Sequence, residues 1–333
     1  MLLTLAIPTY NRAESLRVTL NNLISQIEQQ ELLDVEIVIS DNCSTDDTQS
    51  ICASVAAEHS RVCVRYFSND TNLGFDGNVN ALFRYALGKY VWTFSDDDCP
   101  SPNSVVDVAS LLRKHDVRFA FVNYLVSVDG QILPSRFGAG QDCLLEAREL
   151  LKTIRFSNSL VSSCIFLRQA WLDSDPKKYI GTLWIHFFMA REILQTGNGL
   201  IIGHPMFTMM QSGLEKSRDE KRQESSTGVE FYMMAHLKFL GFASELHCYD
   251  FDRETLKLAQ EQGEREDIYQ VINFKLTAPR YSVLQLAETW QQLVRFRKSS
   301  IQFWLVVTPL LALPSWTLKL ARVAYRASKS WLR

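Results

Sequence analysis

The sequence predicts an α/β protein, a mainly parallel sheet flanked by helices and followed by a helical C-terminal region. Two observations carry that expectation. Over the first 125 residues, short β-rich apolar runs alternate with helix-like segments in the order of β-α-β units. Each run also ends in a polar loop bearing a helix-start signal. A chain of 333 residues with 47% hydrophobic content can fill one large core or two smaller ones. Gly (14) and Pro (9) are too few for a low-complexity or fibrous chain, and no internal repeat is visible.

The predicted strands are Leu3 to Ile7, Val35 to Ser40, Val62 to Phe67, Tyr90 to Phe94 and Phe119 to Tyr124. Between them, Asn11 with Glu14 and Ser44 with Asp47 resemble capping boxes, and Ser101 before Pro102 places a cap ahead of a proline at the first helical position. Gly130 marks a hairpin turn, "SSCIFLR" (162–168) a further strand, and "GTLWIHFFMAREILQT" (181–196) a helix with an apolar face. The charged stretch 214–228 reads as a loop or linker, with helix beyond it at Phe231 to Gly241 and Ser282 to Lys298. The expected organisation is an α/β domain over 1–213, a helical region over 214–298 and a basic tail over 299–333.

Seven scattered cysteines without a C-x-x-C pair argue against a disulfide framework or a zinc site and fit a reducing cytoplasm. The N-terminus lacks the basic region and cleavage site of a signal peptide, so it is expected to begin the first strand. The formal charge of -2 conceals an asymmetry. After Glu288 there is no acidic residue, and the last 45 residues carry +8, which leaves 27 basic against 37 acidic groups before them.

Ligands of open α/β sheets bind outside the carboxyl ends of the strands. "PTYNR" (8–12), "SDNCSTDD" (40–47) and "SDDDCPSP" (95–102) are all strand-end loops, so they should converge on one crevice. The third places Asp96, Asp97 and Asp98 in a row behind an apolar strand, where like charges repel unless a cation joins them. On an extended strand end, Asp96 and Asp98 would point the same way and offer hard oxygen ligands suited to Mg²⁺ or Mn²⁺ shared with a diphosphate. A turn started by Asp97 or Asp98, or a solvated acidic loop, is the alternative.

Four segments in order, "LAIPTYNR" (5–12), "VEIVISDNCSTDDT" (35–48), "NLGFDGNVNAL" (72–82) and "GKYVWTFSDDD" (88–98), resemble the nucleotide-sugar-dependent glycosyltransferases of family 2, with the GT-A fold. The likeness is greatest to abequosyltransferase-like and rhamnosyltransferase-like members that build bacterial O-antigen. It covers about the first 125 residues strongly and about 200 loosely. The resemblance implies that Pro8, Thr9, Tyr10, Asn11 and Arg12 cradle the nucleotide, at a helix N-terminus that favours anions. It also implies that Asp41 accepts from base or ribose, and that Asp96 and Asp98 hold the ribose and the metal-bound diphosphate. Asp76 and Asn78 are candidates for closing over the nucleotide, whereas Asn72 and Gly74 are equally readable as turn residues.

An inverting transferase needs a general base for the acceptor hydroxyl. Here the sequence departs from the family, because the acidic pair expected near 181–186 reads "GTLWIH". His186 is the titratable residue in that window and, with Asp97, is the catalytic candidate; Glu192, Asp173 and Asp175 are the alternatives, and His204 is a possible diphosphate-side ligand. A histidine on an aromatic-rich helix is also an ordinary core residue.

Residues 299–318 carry no charge over twenty positions, yet Pro309 and Pro314 should break a spanning helix, and basic residues flank both ends. Lys319, Arg322, Arg326, Lys329 and Arg333 then form one helical stripe, with Trp316 and Trp331 at the ends of a separate apolar face. That is the profile of a helix lying in an anionic membrane surface, and not of a nucleic-acid binder.

The expectation is therefore a transferase peripheral to the cytoplasmic face of a bacterial inner membrane. It would use Mg²⁺ or Mn²⁺ and a nucleotide sugar to extend an oligosaccharide linked to undecaprenyl diphosphate. The rivals are a sugar-nucleotide pyrophosphorylase, for which "IPTYNR" lacks a Gly-rich phosphate loop, and a membrane-docked scaffold without activity.

Overall fold

A computed structural model describes residues 1–128, 130–133, 140–154, 160–195 and 197–210, then 268, 271–272, 283–298, 300–314 and 317–318. The chain divides into two compact units, Met1–Ser212 and Gly213–Arg333.

In the first unit the predicted alternation is realised as β1 (Leu3–Thr9), α1 (Ala13–Gln29), β2 (Val35–Asp41), α2 (Thr48–Glu58), β3 (Cys63–Ser68), α3 (Gly74–Tyr85), β4 (Tyr90–Thr93), β5 (Cys99–Pro100) and α4 (Ser104–Lys114). It continues through β6 (Phe119–Val128), β7 (Gln131–Leu133), β8 (Cys143–Glu146), α5 (Ala147–Ile154), β9 (Cys164–Leu167), α6 (Arg168–Leu172), α7 (Ile185–Ile193) and β10 (Asn198–Met210). These strands form one sheet in the order β3-β2-β1-β4-β9-β6-β10-β5, with β7 on β6 and β8 on β10. The sheet is mixed. β3, β2, β1 and β4 run parallel, β9 is inserted antiparallel between β4 and β6, and β6 and β10 are again parallel.

The central strands β1 and β2 are buried along their whole length, as apolar runs covered on both faces must be. α1 packs Leu16, Leu20, Leu23, Ile24 and Ile27 inward with Thr19, the spacing of one helical face. Beyond the strands, a stacked pair of Phe83 and Trp171, 3.7 Å between ring centroids, joins α3 to α6.

The predicted caps are not the ones used. α1, α2 and α4 begin after Arg12, Asp47 and Asn103, and none of these side chains caps its own helix. Neighbouring elements do so instead: Asp46 Oδ2 accepts from the Ala13 amide at 3.0 Å, and Gln26 Oε1 accepts from the Val105 amide at 3.1 Å. Asn11 and Asn103 adopt left-handed backbone with φ of 51° and 63°, which frees their side chains for other contacts.

In the second unit, α8 (Val283–Arg297) matches the predicted helix, and helical backbone resumes at 301 and ends at Ala312. It includes a π turn (Phe303–Val307) followed by α9 (Thr308–Ala312). Pro309 therefore does not break it: it stands in the first turn of α9, where a proline is tolerated. The helix stops one residue short of Pro314, whose predecessor Leu313 is extended. No helix among the described residues is long and apolar enough to cross a membrane. The linker 214–228, the helix expected at 231–241, and Trp316, Lys319, Arg322, Arg326, Lys329 and Trp331 lie outside the described residues.

Candidate active site

Parallel pairing of β1 with both β2 and β4 brings their carboxyl ends together, and with them the three polar loops. β4 ends at Thr93, so the acidic run is not an extended strand end: Asp96 and Asp97 occupy a turn. The premise that Asp96 and Asp98 share a direction fails with it, and the carboxylates go to different partners.

Asp96 accepts from Thr9 Oγ1 at 2.7 Å and from Arg12 Nη1 at 3.0 Å, both in the β1 loop. Arg12 Nη1 also donates to Asp97, whose other oxygen takes the Ser95 hydroxyl at 2.5 Å. Asp98 instead faces Ser162, just ahead of β9, whose Oγ donates to it at 2.5 Å, and it takes a further hydrogen bond from the Met210 amide. Ser162 Oγ also accepts from the Ser95 amide at 2.9 Å, and Thr19 Oγ1 lies 3.2 Å from the carbonyls of both Asp96 and Asp98. The acidic turn is thus pinned from three sides. Ser162 and Thr19 were missed by sequence reasoning, since nothing local marks a serine or threonine that meets a partner 64 or 77 residues away.

Burial pushes the Asp96 carboxyl up to about 6 against the pull of Arg12, and the Asp98 carboxyl up to about 7 against the Ser162 hydrogen bond. Asp97 is the open member of the three, its side chain 37% exposed beside the guanidinium. Tyr10, 40% exposed, lies in the same loop as Arg12, while Pro8 is buried within β1.

Asp41 at the end of β2 is buried; its Oδ1 accepts from the Ser44 amide and hydroxyl, and its Oδ2 from Tyr66 OH at 2.6 Å. Asn11 links this loop to the first, donating its amide to Ser44 Oγ at 2.8 Å and accepting from the Thr45 amide at 2.8 Å. Asn78 and Asp76 are in contacts different from those expected. Asn78 is buried in α3 and donates to the Ser40 and Thr9 carbonyls while accepting from Ser40 and Asn69, so it is a brace between strands. Asn72 and Gly74 make a turn, the Asn72 Oδ1 taking the Gly74 amide at 2.9 Å where φ of Gly74 is 71°.

Asp76 is 2% exposed and accepts the amides of Gly181 (2.8 Å), Leu183 (2.8 Å) and Ile185 (3.1 Å). Burial raises its carboxyl, the three amides oppose that, and the balance is upward. Its role is to clamp the loop that enters α7, where Leu183 holds a left-handed φ of 64°. His186 follows in the first turn of α7, buried, with Phe75 edge-on at 6.0 Å and Trp184 stacked at 6.2 Å between ring centroids. Glu192 Oε2 accepts from Tyr179 OH at 2.8 Å and from Lys178 at 2.6 Å, and Asp173 accepts from Gln169. His204 is exposed where the pairing of β10 with β6 shifts register.

Residues 4–136 match the family described as Glycosyl transferase family 2. That stretch is similar to the family 2 glycosyl transferases. It and the strands that follow it have the GT-A fold. Staphylococcus aureus TarS 1-349 in complex with UDP-GlcNAc superposes with a TM-score of 0.54 at 16% identity, covering 84% of this chain and 82% of that one. The mannosyltransferase PcManGT from Pyrobaculum calidifontis, in complex with GDP-Man and Mn²⁺, superposes with a TM-score of 0.52 at 16% identity, covering 93% and 84%.

Among curated proteins, the abequosyltransferase RfbV of Salmonella typhimurium is 31% identical over 60% of this chain and 63% of its own length. A GalNAc(5)-diNAcBac-PP-undecaprenol beta-1,3-glucosyltransferase of Campylobacter jejuni is 28% identical over 56% and 59%. The chain thus spans about three fifths of the length of these relatives.

Proposed function

We propose that this protein transfers a sugar, of the deoxysugar class, from a nucleotide diphosphate donor to an oligosaccharide on a lipid diphosphate, in the assembly of O-antigen or lipopolysaccharide. The observation that carries the proposal is the cluster of Thr9, Arg12, Asp96, Asp97 and Asp98 at the carboxyl ends of β1 and β4, inside the stretch matched to family 2, with Ser162 joining it from just ahead of β9. The Salmonella and Campylobacter relatives, an abequosyltransferase and an undecaprenol-linked glucosyltransferase, support a sugar transferase and a lipid-linked acceptor.

In this reading Tyr10 offers an exposed ring for the nucleobase to stack on. Asp41 Oδ2 takes one internal donor and keeps a lone pair for a base N–H or ribose hydroxyl. Arg12 presents positive charge to the diphosphate, and Asp97 beside it is the carboxylate open to a shared cation. The donor set fits Mg²⁺ or Mn²⁺ in kind, being hard carboxylate oxygen. Among the described residues no group of three or more His, Cys, Asp or Glu is gathered to hold a metal alone, so the phosphates and water would complete the shell. Such an ion, when bound, neutralises charge on the leaving diphosphate. Asp96 and Asp98 hold the turn that presents Asp97, and Asp96 would meet the ribose.

His186 is the proposed base for the acceptor hydroxyl, on the helix whose entry Asp76 clamps. Glu192 is a weaker candidate because Tyr179 and Lys178 already engage it. The enzyme would work at the cytoplasmic face of a bacterial inner membrane, held by the basic tail. The test is release of nucleotide from a panel of nucleotide sugars, with and without an undecaprenyl-diphosphate-linked acceptor. Acceptor-dependent release is expected. No release from any donor, in a protein that still binds nucleotide diphosphate, would favour the scaffold reading.

A further inference from the structure

In the helical segment that begins at 301 and ends at Ala312, one face is packed and the other is not covered by any of the described residues. Phe303, Val307 and Leu311, four residues apart, are buried against Val271 and Leu293. The opposite face is apolar and open: Ile301 is 76% exposed, Leu305 72%, Trp304 43% and Leu313 41%. No charged side chain interrupts it, since residues 299–318 contain none. The Trp304 indole N–H is already satisfied by the Lys298 carbonyl at 2.9 Å, so its ring can leave water without stranding a donor.

We propose that this outward face of residues 301–313 is a wedge that inserts into the interface of an anionic lipid bilayer. Three features select lipid as the occupant. The twelve residues 301–312 are about 18 Å long as a helix, too short for a hydrocarbon core of about 30 Å, but suited to lying within the interface. Tryptophan with neighbouring aliphatic side chains is the composition favoured at that depth. The flanks are basic only: Arg295, Arg297 and Lys298 precede the wedge, Lys319 and Arg322 follow it, and no acidic residue occurs after Glu288. Anionic headgroups complement that charge, whereas a second copy of this chain would bring like charges together.

The proposal deepens the enzyme reading by naming the surface that holds the chain at an acceptor-bearing bilayer, and it rests on that reading for the bacterial lipid composition. The experiment uses the full chain with vesicles of phosphatidylglycerol and phosphatidylethanolamine. Ile301→Glu and Leu305→Glu, both at exposed positions, are expected to lower vesicle partitioning at least tenfold each, with unchanged thermal unfolding and unchanged binding of nucleotide diphosphate. Brominated lipids should quench the fluorescence of the wild type more than that of Trp304→Phe. Wild-type partitioning by both Glu variants would overturn the proposal. So would a wild-type dimer that Leu305→Glu dissociates while vesicle binding is unchanged, since that assigns the face to a second copy. Loss of nucleotide binding in the wild type with vesicle binding intact would count against the enzyme reading and leave the wedge standing.

Discussion

Arg12 Nη1 donates to the carboxylates of both Asp96 and Asp97, and so a residue of the β1 loop supplies the positive charge that a run of three aspartates behind β4 requires. The crowding visible in the sequence is resolved in the first place by the protein itself. A divalent ion would then be an addition made with the donor, at the open carboxylate of Asp97.

Arg12→Met should therefore act on stability and binding together. Removing one partner of a part-buried pair leaves Asp96 without a counter-charge, at a cost of about 1–3 kcal/mol once the exposure of Arg12 to solvent is allowed for. Affinity for a nucleoside diphosphate should fall about tenfold or more, the weight of one charge-assisted contact. Thermal unfolding and titration calorimetry on one preparation check both; normal affinity would remove Arg12 from the diphosphate site.

The raised carboxyls of Asp96 (to about 6) and Asp98 (to about 7) set a pH dependence. Each binds its proton more tightly folded than unfolded, so the stabilisation is complete below about pH 4 and is lost as pH rises through the folded values. Their contribution to stability should thus decline from about pH 4 and level off by about pH 8. Asp98→Asn should flatten that slope in denaturant unfolding curves compared with the wild type. An unchanged slope would mean that Asp98 titrates normally.

Asp76→Ala removes the acceptor of three amides and should cost about 2–4 kcal/mol. Amide exchange should quicken at Gly181, Leu183 and Ile185. Turnover should fall more than donor affinity does, because the clamp serves the entry to α7 and not the nucleotide loops. Equal losses in both would place Asp76 against the donor, as its position in "NLGFDGN" suggests from sequence.

His186→Ala should lower turnover about a hundredfold with donor binding retained, in line with loss of a general base. Rates near those of the wild type, measured with saturating donor and acceptor, would shift the base to Asp173 or Asp175.

The sheet was legible in the sequence because β1, β2 and β4 are short apolar runs buried on both faces, and such runs between helix-period segments have few other solutions. The strand-end loops were legible for the same reason: topology alone brings 8–12, 40–47 and 95–102 to one edge. What failed depends on distant partners. Asn11, Ser44 and Ser101 look like caps locally, but Asn11 and Ser44 spend their side chains between loops, and Asp46 and Gln26 cap across the fold. Asp76 and Asn78 look like ligand contacts in a glycine-containing loop, yet Asp76 is taken up by amides more than 100 residues away and Asn78 by Thr9, Ser40 and Asn69, pairings that no local pattern marks. Ser162 is the converse case, an unremarkable serine that holds Asp98.

The proposed nucleotide diphosphate site, with Asp97 and Arg12 turned to the phosphates, can be probed by titrating UDP, CDP, GDP and dTDP into the wild type and Asp97→Asn, each with and without Mn²⁺. One nucleotide should bind the wild type tightly, more tightly with Mn²⁺, and Asp97→Asn should lose the Mn²⁺ enhancement while remaining folded. Binding of none of the four, or an Mn²⁺ enhancement that survives in Asp97→Asn, would contradict it.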